Sequence, residues 1–272
     1  MTKHRSVFVA GIFNVLHPGH IRLLKFAKEC GDKLIVGVIS DTLAGDGAHV
    51  AQDFRLEAVK MNALVDEVFL VTWFHPSVEI QRNDDTKFDH LSAFTNVDNK
   101  VIMQGDLLHV DFGISYLRLN SDIQEHAYVL KPNESDAPEY LKQGLKTANR
   151  LQDILTNNFK ENKTGNEILK ASLDQAMAEN IVASIYTHPI GFNGHGAGPT
   201  IGMWDMQGGV PGSGDYPLYK NTCYSIELNA SVFIKEWNKN VRFMLEQDGH
   251  FDGKTFYYID GRQTKLHLIG KN

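Results

Sequence analysis

The first 72 residues alternate β-rich runs with amphipathic segments, and this alternation breaks off abruptly near residue 74. The runs at 6–11 (SVFVAG) and 34–39 (LIVGVI) are short and rich in Val and Ile, as strands buried on both faces of a parallel sheet are. Between them, HIRLLKFAKEC has helical spacing. Leu23, Leu24, Ala27 and Cys30 share one face, with Arg22, Lys25, Lys28 and Glu29 opposite. A second helix over about 53–64 leads into a third strand, EVFLV (67–71). Strand–helix–strand–helix–strand is the opening of a doubly wound sheet. Residues 1–73 are therefore expected to form an α/β, Rossmann-like half-domain with parallel strands.

From residue 74 the pattern changes. An irregular polar stretch, EIQRNDDTKFDH, precedes a hairpin-like pair of strands around 104–112 and 122–130. Two helices follow, each opened by capping-box spacing. Asp136-Ala-Pro-Glu139 leads the first, with an apolar stripe of Leu141, Leu145, Ala148, Leu151 and Leu155. Thr164-Gly-Asn-Glu167 leads the second, with Leu169, Leu173 and Ala176 on one side. The remainder reads as strands near 184–187, 223–229, 241–246, 255–259 and 264–269, separated by a Gly-rich loop. Hairpins followed by paired helices point to an α+β domain over 74–272. No Gly/Ser/Pro linker separates the two regions.

The 272 residues are ample for a buried core, and the 42% hydrophobic, 22% charged composition is that of a globular protein. A formal charge of −6 argues against generic nucleic-acid binding, which wants a basic surface. The two cysteines, Cys30 and Cys223, supply neither a disulfide framework nor a cysteine zinc site. The apolar run near the N-terminus is interrupted by Gly11 and Asn14 and does not read as a signal peptide. No apolar stretch has the length to span a bilayer. A cytoplasmic protein without membrane or nucleic-acid partners is the expectation.

Asp111 and Asp122 lie eleven residues apart in GDLLHVDFGISYLRLNSD, followed by His188, Glu227 and Glu246, each within its own apolar segment. In LLHVDF, alternation places Leu107, His109 and Asp111 on one face. Among 33 acids, any one of these could be a solvated surface group. Acids embedded in runs such as YSIELNA and VRFMLEQ are harder to explain so, because a buried unpaired carboxylate is costly. Oxygen donors with one imidazole suit Mn, Fe, Co, Mg or Zn, and a shared carboxylate can hold two ions roughly 3.5–4 Å apart. The residues alone leave both readings open.

Residues from about 102 to 250 resemble the pita-bread metallopeptidases, the family of methionine aminopeptidase, Xaa-Pro aminopeptidase, prolidase and creatinase. The match runs through GDLLHVDFG, SD eleven residues on, HPIGFNGH, SIELN and VRFMLEQDG. It implies Asp111, Asp122, His188, Glu227 and Glu246 as ligands of two divalent ions (Mn, Co, Fe or Zn). It also implies that Asp122 and Glu246 bridge the pair, that Glu227 is the acid/base, and that His195 contacts substrate. Short peptides, of Xaa-Pro type among them, are the implied substrates, and a homodimer is among the implied assemblies. Trp204 and Tyr216 are candidates for a substrate wall or for loop anchors. His90 is the nearest upstream histidine and is expected to be a loop residue.

Gly11-Ile-Phe-Asn-Val-Leu-His17-Pro-Gly-His20 closes the first strand and opens the first helix. Amides at a helix start attract phosphate, and two imidazoles can donate to a phosphoryl transition state. This segment, to about Thr72, is similar to the cytidylyltransferase-like nucleotidyltransferases. The resemblance implies CTP or ATP as substrate, His17 and His20 as catalytic groups, and nucleotide contacts from Gly11, Phe13, Asn14, His17, Gly19, His20 and Arg55. Asn14 stands where that family usually has Asp, and after Val71 the later half of its fold gives way to the second pattern. Three functions follow as alternatives: a dinuclear metallopeptidase, a nucleotidyltransferase using the HPGH motif, and a catalytically inactive binding protein.

Overall fold

The structure, a computed structural model, describes residues 6–72, 77–84, 101–116 and 118–270. His90 and the junction at 73–76 lie outside these residues. The chain divides into two compact units, Met1–His75 with Ile114–Leu119, and Pro76–Gly113 with Asn120–Asn272.

The first unit runs β1 (Ser6–Gly11), α1 (Pro18–Glu29), β2 (Lys33–Ile39), α2 (Asp41–Ala44), α3 (Gln52–Lys60) and β3 (Glu67–Val71). Its strands form a parallel sheet in the order β1-β2-β3. Alternation puts Leu34, Val36 and Val38 of β2 into one core with Phe13, Leu24, Ala27 and Val59. The two strand–helix crossovers are the expected ones. The helix faces differ in detail: α1 buries Leu24 and Ala27, whereas Leu23 and Cys30 are exposed. The buried stripe is centred on the 24/27 pair, which leaves 23 and 30 past its rim.

The second unit opens with β4 (Ser77–Gln81) and β5 (Leu107–Phe112). The chain then passes through β6 (Ser115–Tyr116), which belongs to the first unit, and β7 (Leu119–Asn120) at the boundary. After these come β8 (Ile123–Val129), α4 (Glu139–Asn157), α5 (Gly165–Ala178), β9 (Val182–Ile185) and β10 (His188–Pro189). The chain closes with β11 (Thr222–Ile234), β12 (Lys239–Phe251), β13 (Phe256–Tyr258) and β14 (His267–Ile269). Among the described residues the main sheet has nine strands, along the path β10-β11-β12-β8-β5-β4, with β9 on β11, β13 on β12 and β14 on β8.

The long antiparallel pair β11–β12 is its spine, in register from Thr222 opposite Phe251 to Ile234 opposite Lys239. Tyr224, Ile226, Leu228 and Ala230 join Phe243 and Leu245 in a core with Leu141, Leu145, Ala148 and Leu151 of α4. The alternate residues Ser225, Glu227, Asn229, Arg242 and Glu246 are buried and polar, while Gln247 on the packing face accepts from Gln152 of α4. One face of the spine is thus spent on packing helices, and the other is left for polar groups. Gly144 permits that packing, since a Cβ there would come within 2.1 Å of the Phe243 ring.

Two expectations are corrected. The stretch beginning EIQ opens with the last three residues of β4, which pairs antiparallel with β5, Val78 and Ile80 alternating with Glu79 and Gln81. Thr164 and Glu167 form their capping box, but α4 starts at Glu139 with Pro138 as its N-cap and no side-chain cap. Asp136 is committed elsewhere: it accepts from the Ala137 amide at 2.8 Å and from Lys142 Nζ at 3.0 Å.

Candidate metal centre

Sheet register brings distant acids together. Asp111 of β5 lies opposite Gln124 of β8, Gln124 opposite Glu246 of β12, and Glu246 opposite Glu227 of β11. Asp122 immediately precedes β8, and His188 opens β10, opposite Ser225. Ligand atoms fall within 4.8 Å of one another in three overlapping groups: Asp111, Asp122 and Glu246; His188, Glu227 and Glu246; and Asp122, His188 and His195. Asp122, His188, Glu227 and Glu246 are buried, Asp111 is half-buried and His195 is exposed.

The electrostatics of this arrangement are adverse as it stands. Burial pushes the Glu227 carboxyl well above the ordinary carboxylate range, and the neighbouring Glu246 and Asp111 push it further. Burial raises Glu246 and Asp122 likewise, with repulsion from their acidic neighbours added. His188 supplies the sharpest test of what the cluster is for. Its Nδ1 is 3.2 Å from the Pro189 carbonyl, a hydrogen bond that leaves the lone pair on Nε2. Burial lowers its pKa, which favours this neutral form. Nε2 has no hydrogen-bond partner, yet lies 3.6 Å from Glu246 Oε1 and 3.9 Å from Glu227 Oε2. A buried lone pair facing two carboxylates is satisfied by a cation. The donor set of oxygens and one imidazole therefore fits divalent metal.

Four residues at this centre escaped sequence reasoning. Gln124 Nε2 donates to Glu227 Oε1 at 2.6 Å and to Glu246 Oε2 at 2.7 Å. Ser225 Oγ donates to Glu246 Oε1 at 2.6 Å. Asp248 Oδ2 accepts from the Asp122 amide at 3.2 Å, and burial raises its carboxyl to about 7. Tyr186 stacks on His195 with ring centroids 5.8 Å apart, and Trp204 meets Tyr186 edge-on at 6.0 Å. Alternation flags Ser225 and Gln124 as partners of Glu227 and Asp122, but nothing local shows what they bond. Tyr216 is exposed.

In the first unit, His17 is the N-cap of α1, its Nδ1 accepting from the Gly19 amide at 3.0 Å. The His17 and His20 rings are 3.9 Å apart, and His20 Nδ1 is buried without a hydrogen-bond partner. Phe13 is buried with φ of 54°, its ring against the site a Gly11 Cβ would fill. Asn14 and Arg55 are used by the fold instead. Asn14 Oδ1 accepts from the His49 amide at 2.7 Å, and its Nδ2 donates to the Gly47 carbonyl at 2.7 Å. Arg55, expected to contact nucleotide, is 1% exposed. It donates to the carbonyls of Val50, Ile12 and Ile39 and to Asp41 Oδ1.

A family described as cytidylyltransferase-like matches residues 8–168, more than half of the chain. The chain belongs to the cytidylyltransferase-like family. Within this family, it is 39% identical over 98 residues to the bifunctional protein HldE of Rhodopseudomonas palustris, covering 30% of the chain and 20% of that protein. It is 41% identical over 75 residues to the FAD synthase of Thermococcus kodakarensis, covering 26% of the chain and 50% of that enzyme. The chain thus spans half or less of the length of these relatives. Among solved structures, the prolidase of Thermococcus sibiricus superposes with a TM-score of 0.50 at 14% identity, over 92% of this chain and 58% of the other. This cytidylyltransferase-like chain therefore joins a Rossmann-like region of three parallel strands to a pita-bread-like, antiparallel-rich region with helices. No described helix is long and apolar enough to cross a membrane.

Proposed function

We propose that the second unit is a dinuclear, metal-dependent peptidase centre acting on short peptides of the aminopeptidase or Xaa-Pro type. The domain division we propose is 1–73 for the nucleotide-binding half-domain and 74–272 for the peptidase-like domain. The observation that carries the reading is His188 Nε2, buried, without a partner and facing Glu227 and Glu246. Asp111, Asp122, His188, Glu227 and Glu246 would hold the ions. Bound divalent ions lower the pKa of water and polarise a carbonyl, the two needs of amide hydrolysis. Glu227 takes the proton of the attacking water and returns it to the leaving amine. His195, exposed beside His188 with ring centroids 4.2 Å apart, donates to the substrate carbonyl oxygen. Tyr186 orients His195 by stacking, and Trp204 backs Tyr186.

The test is metal content and hydrolysis together. Purified protein loaded with Mn should bind two ions per chain and cleave Xaa-Pro dipeptides. Asp111→Asn and Glu227→Gln should lower turnover by at least about a hundredfold, the scale of a lost acid/base or ligand. Less than one ion per chain at saturation would overturn the reading.

A second reading concerns the first unit. The unpartnered His20 Nδ1 beside His17 at the start of a twelve-residue helix favours a nucleotide phosphate there, CTP or ATP. The HldE and FAD synthase relatives cover this segment. Pyrophosphate release from either nucleotide, lost in His17→Ala, is its signature.

A further inference from the structure

The row Asp111–Gln124–Glu246–Glu227 has a single neutral member. Like charges directly opposite one another destabilise a sheet, and Gln124 stands between two of them. It is 3% exposed. Its Nε2 carries two hydrogens, directed at Glu227 Oε1 (2.6 Å) and Glu246 Oε2 (2.7 Å), and Asp111 Oδ2 lies 3.5 Å away. The amide is oriented by chemistry. Turned over, its carbonyl would face two carboxylates and would lose the His109 Nε2 contact at 3.0 Å. Glu246 Oε1 is already taken by Ser225 Oγ.

Glu246 Oε1 and Glu227 Oε2 face His188, so a cation there leaves alone the two oxygens bound by the amide. A cation held by Asp111, Asp122 and Glu246 would need Glu246 Oε2, at which the amide points. We propose that Gln124 is an internal competitor for the metal centre. Its amide stands in for a cation beside Asp111 and Glu246, and it must rotate away before Glu246 Oε2 can take a divalent ion together with Asp111 and Asp122. The inference rests on the metal-centre reading and deepens it, because it assigns unequal affinities to the two ions. The ion held by Asp111, Asp122 and Glu246 displaces the amide and is the weaker one.

Calorimetric titration of Mn into the full chain tests this, with thermal melts run alongside with and without Mn. Two variants are compared with the wild-type chain: Gln124→Met, which keeps the bulk and removes the donor, and Gln124→Ala, which removes both. In both variants the weaker ion should tighten about tenfold, the scale of one charge-assisted hydrogen bond no longer opposing it. Both should also melt lower without metal and gain more from Mn than wild type does. If Mn binds the variants with unchanged or weaker affinity, the competitor role is overturned while the metal centre stands. If wild type binds no Mn, both fall. Agreement between Met and Ala assigns the effect to the amide rather than to a cavity.

Discussion

Arg55 meets its motif and still answers to the fold. The family resemblance implies a nucleotide contact for it, yet its guanidinium lies in the interior of the first unit, where three backbone carbonyls and Asp41 take its donors. The same hydrogen bond holds the Asp41 carboxyl below its ordinary range. Arg55→Met should therefore act on stability: three carbonyls lose a donor at once, worth about 2–4 kcal/mol in urea unfolding. A variant that keeps its stability but loses nucleotide binding would return the residue to the ligand. The residues of the candidate metal centre show the reverse pattern. Asp111, Asp122, Glu227 and Glu246 stand out in the sequence as acids inside apolar runs, and with His188 by an order that resembles a family's. The fold gathers their ligand atoms into overlapping groups. Gln124 does not stand out, because its meaning comes from register with strands more than a hundred residues away, and register is not written locally.

At the scale of elements, the chain carried two capping-box spacings and the fold honours one. Thr164 Oγ1 accepts from the Glu167 amide at 3.1 Å, and Glu167 reaches back to the Thr164 amide at 2.9 Å. Asp136 has the same spacing from Glu139, but its oxygens serve the Ala137 amide and Lys142, and the helix begins three residues later. Spacing reports an opportunity; which partner arrives first is decided by tertiary packing. Thr164→Ala should cost about 1 kcal/mol in denaturant unfolding, and Asp136→Ala, on an exposed pair, within about 0.5 kcal/mol of nothing. Equal losses would mean that Asp136 caps α4 in solution. Strand lengths were the weaker part of the reading for a related reason. β11 and β12 run thirteen residues each, well beyond the apolar cores that marked them, because pairing continues through polar residues once a neighbour is in register.

For the whole molecule, the sequence pattern changes close to where the two compact units part, and Ile114–Leu119 returns to the first unit without a signal in that pattern. What it could not foretell is how the buried ionisable groups add up. His126 is enclosed in the second unit, its Nδ1 3.0 Å from the Leu108 carbonyl and its Nε2 accepting from the Met244 amide at 2.9 Å. Both nitrogens are satisfied in the neutral ring, and burial, with His109 nearby, lowers its pKa from 6.5 to about 3. The unfolded chain protonates this residue near pH 6.5 and the folded one near 3, so unfolding takes up a proton between those limits. Its contribution to stability is complete above the unfolded value and is lost as pH falls toward the folded one, by about 1.4 kcal/mol per pH unit. The buried carboxyls Asp122, Glu227, Glu246 and Asp248 work the other way: their raised pKa values make the metal-free protein less stable as pH rises. A total pH profile mixes the two, but a difference profile does not. His126→Gln keeps one donor and one acceptor and cannot titrate. With metal removed by chelation, the stability of wild type minus variant should fall by roughly 2–3 kcal/mol as pH is lowered from about 6.5 to about 4.5. A flat difference would mean that the ring titrates alike in both states, and that enclosure is not what keeps it neutral.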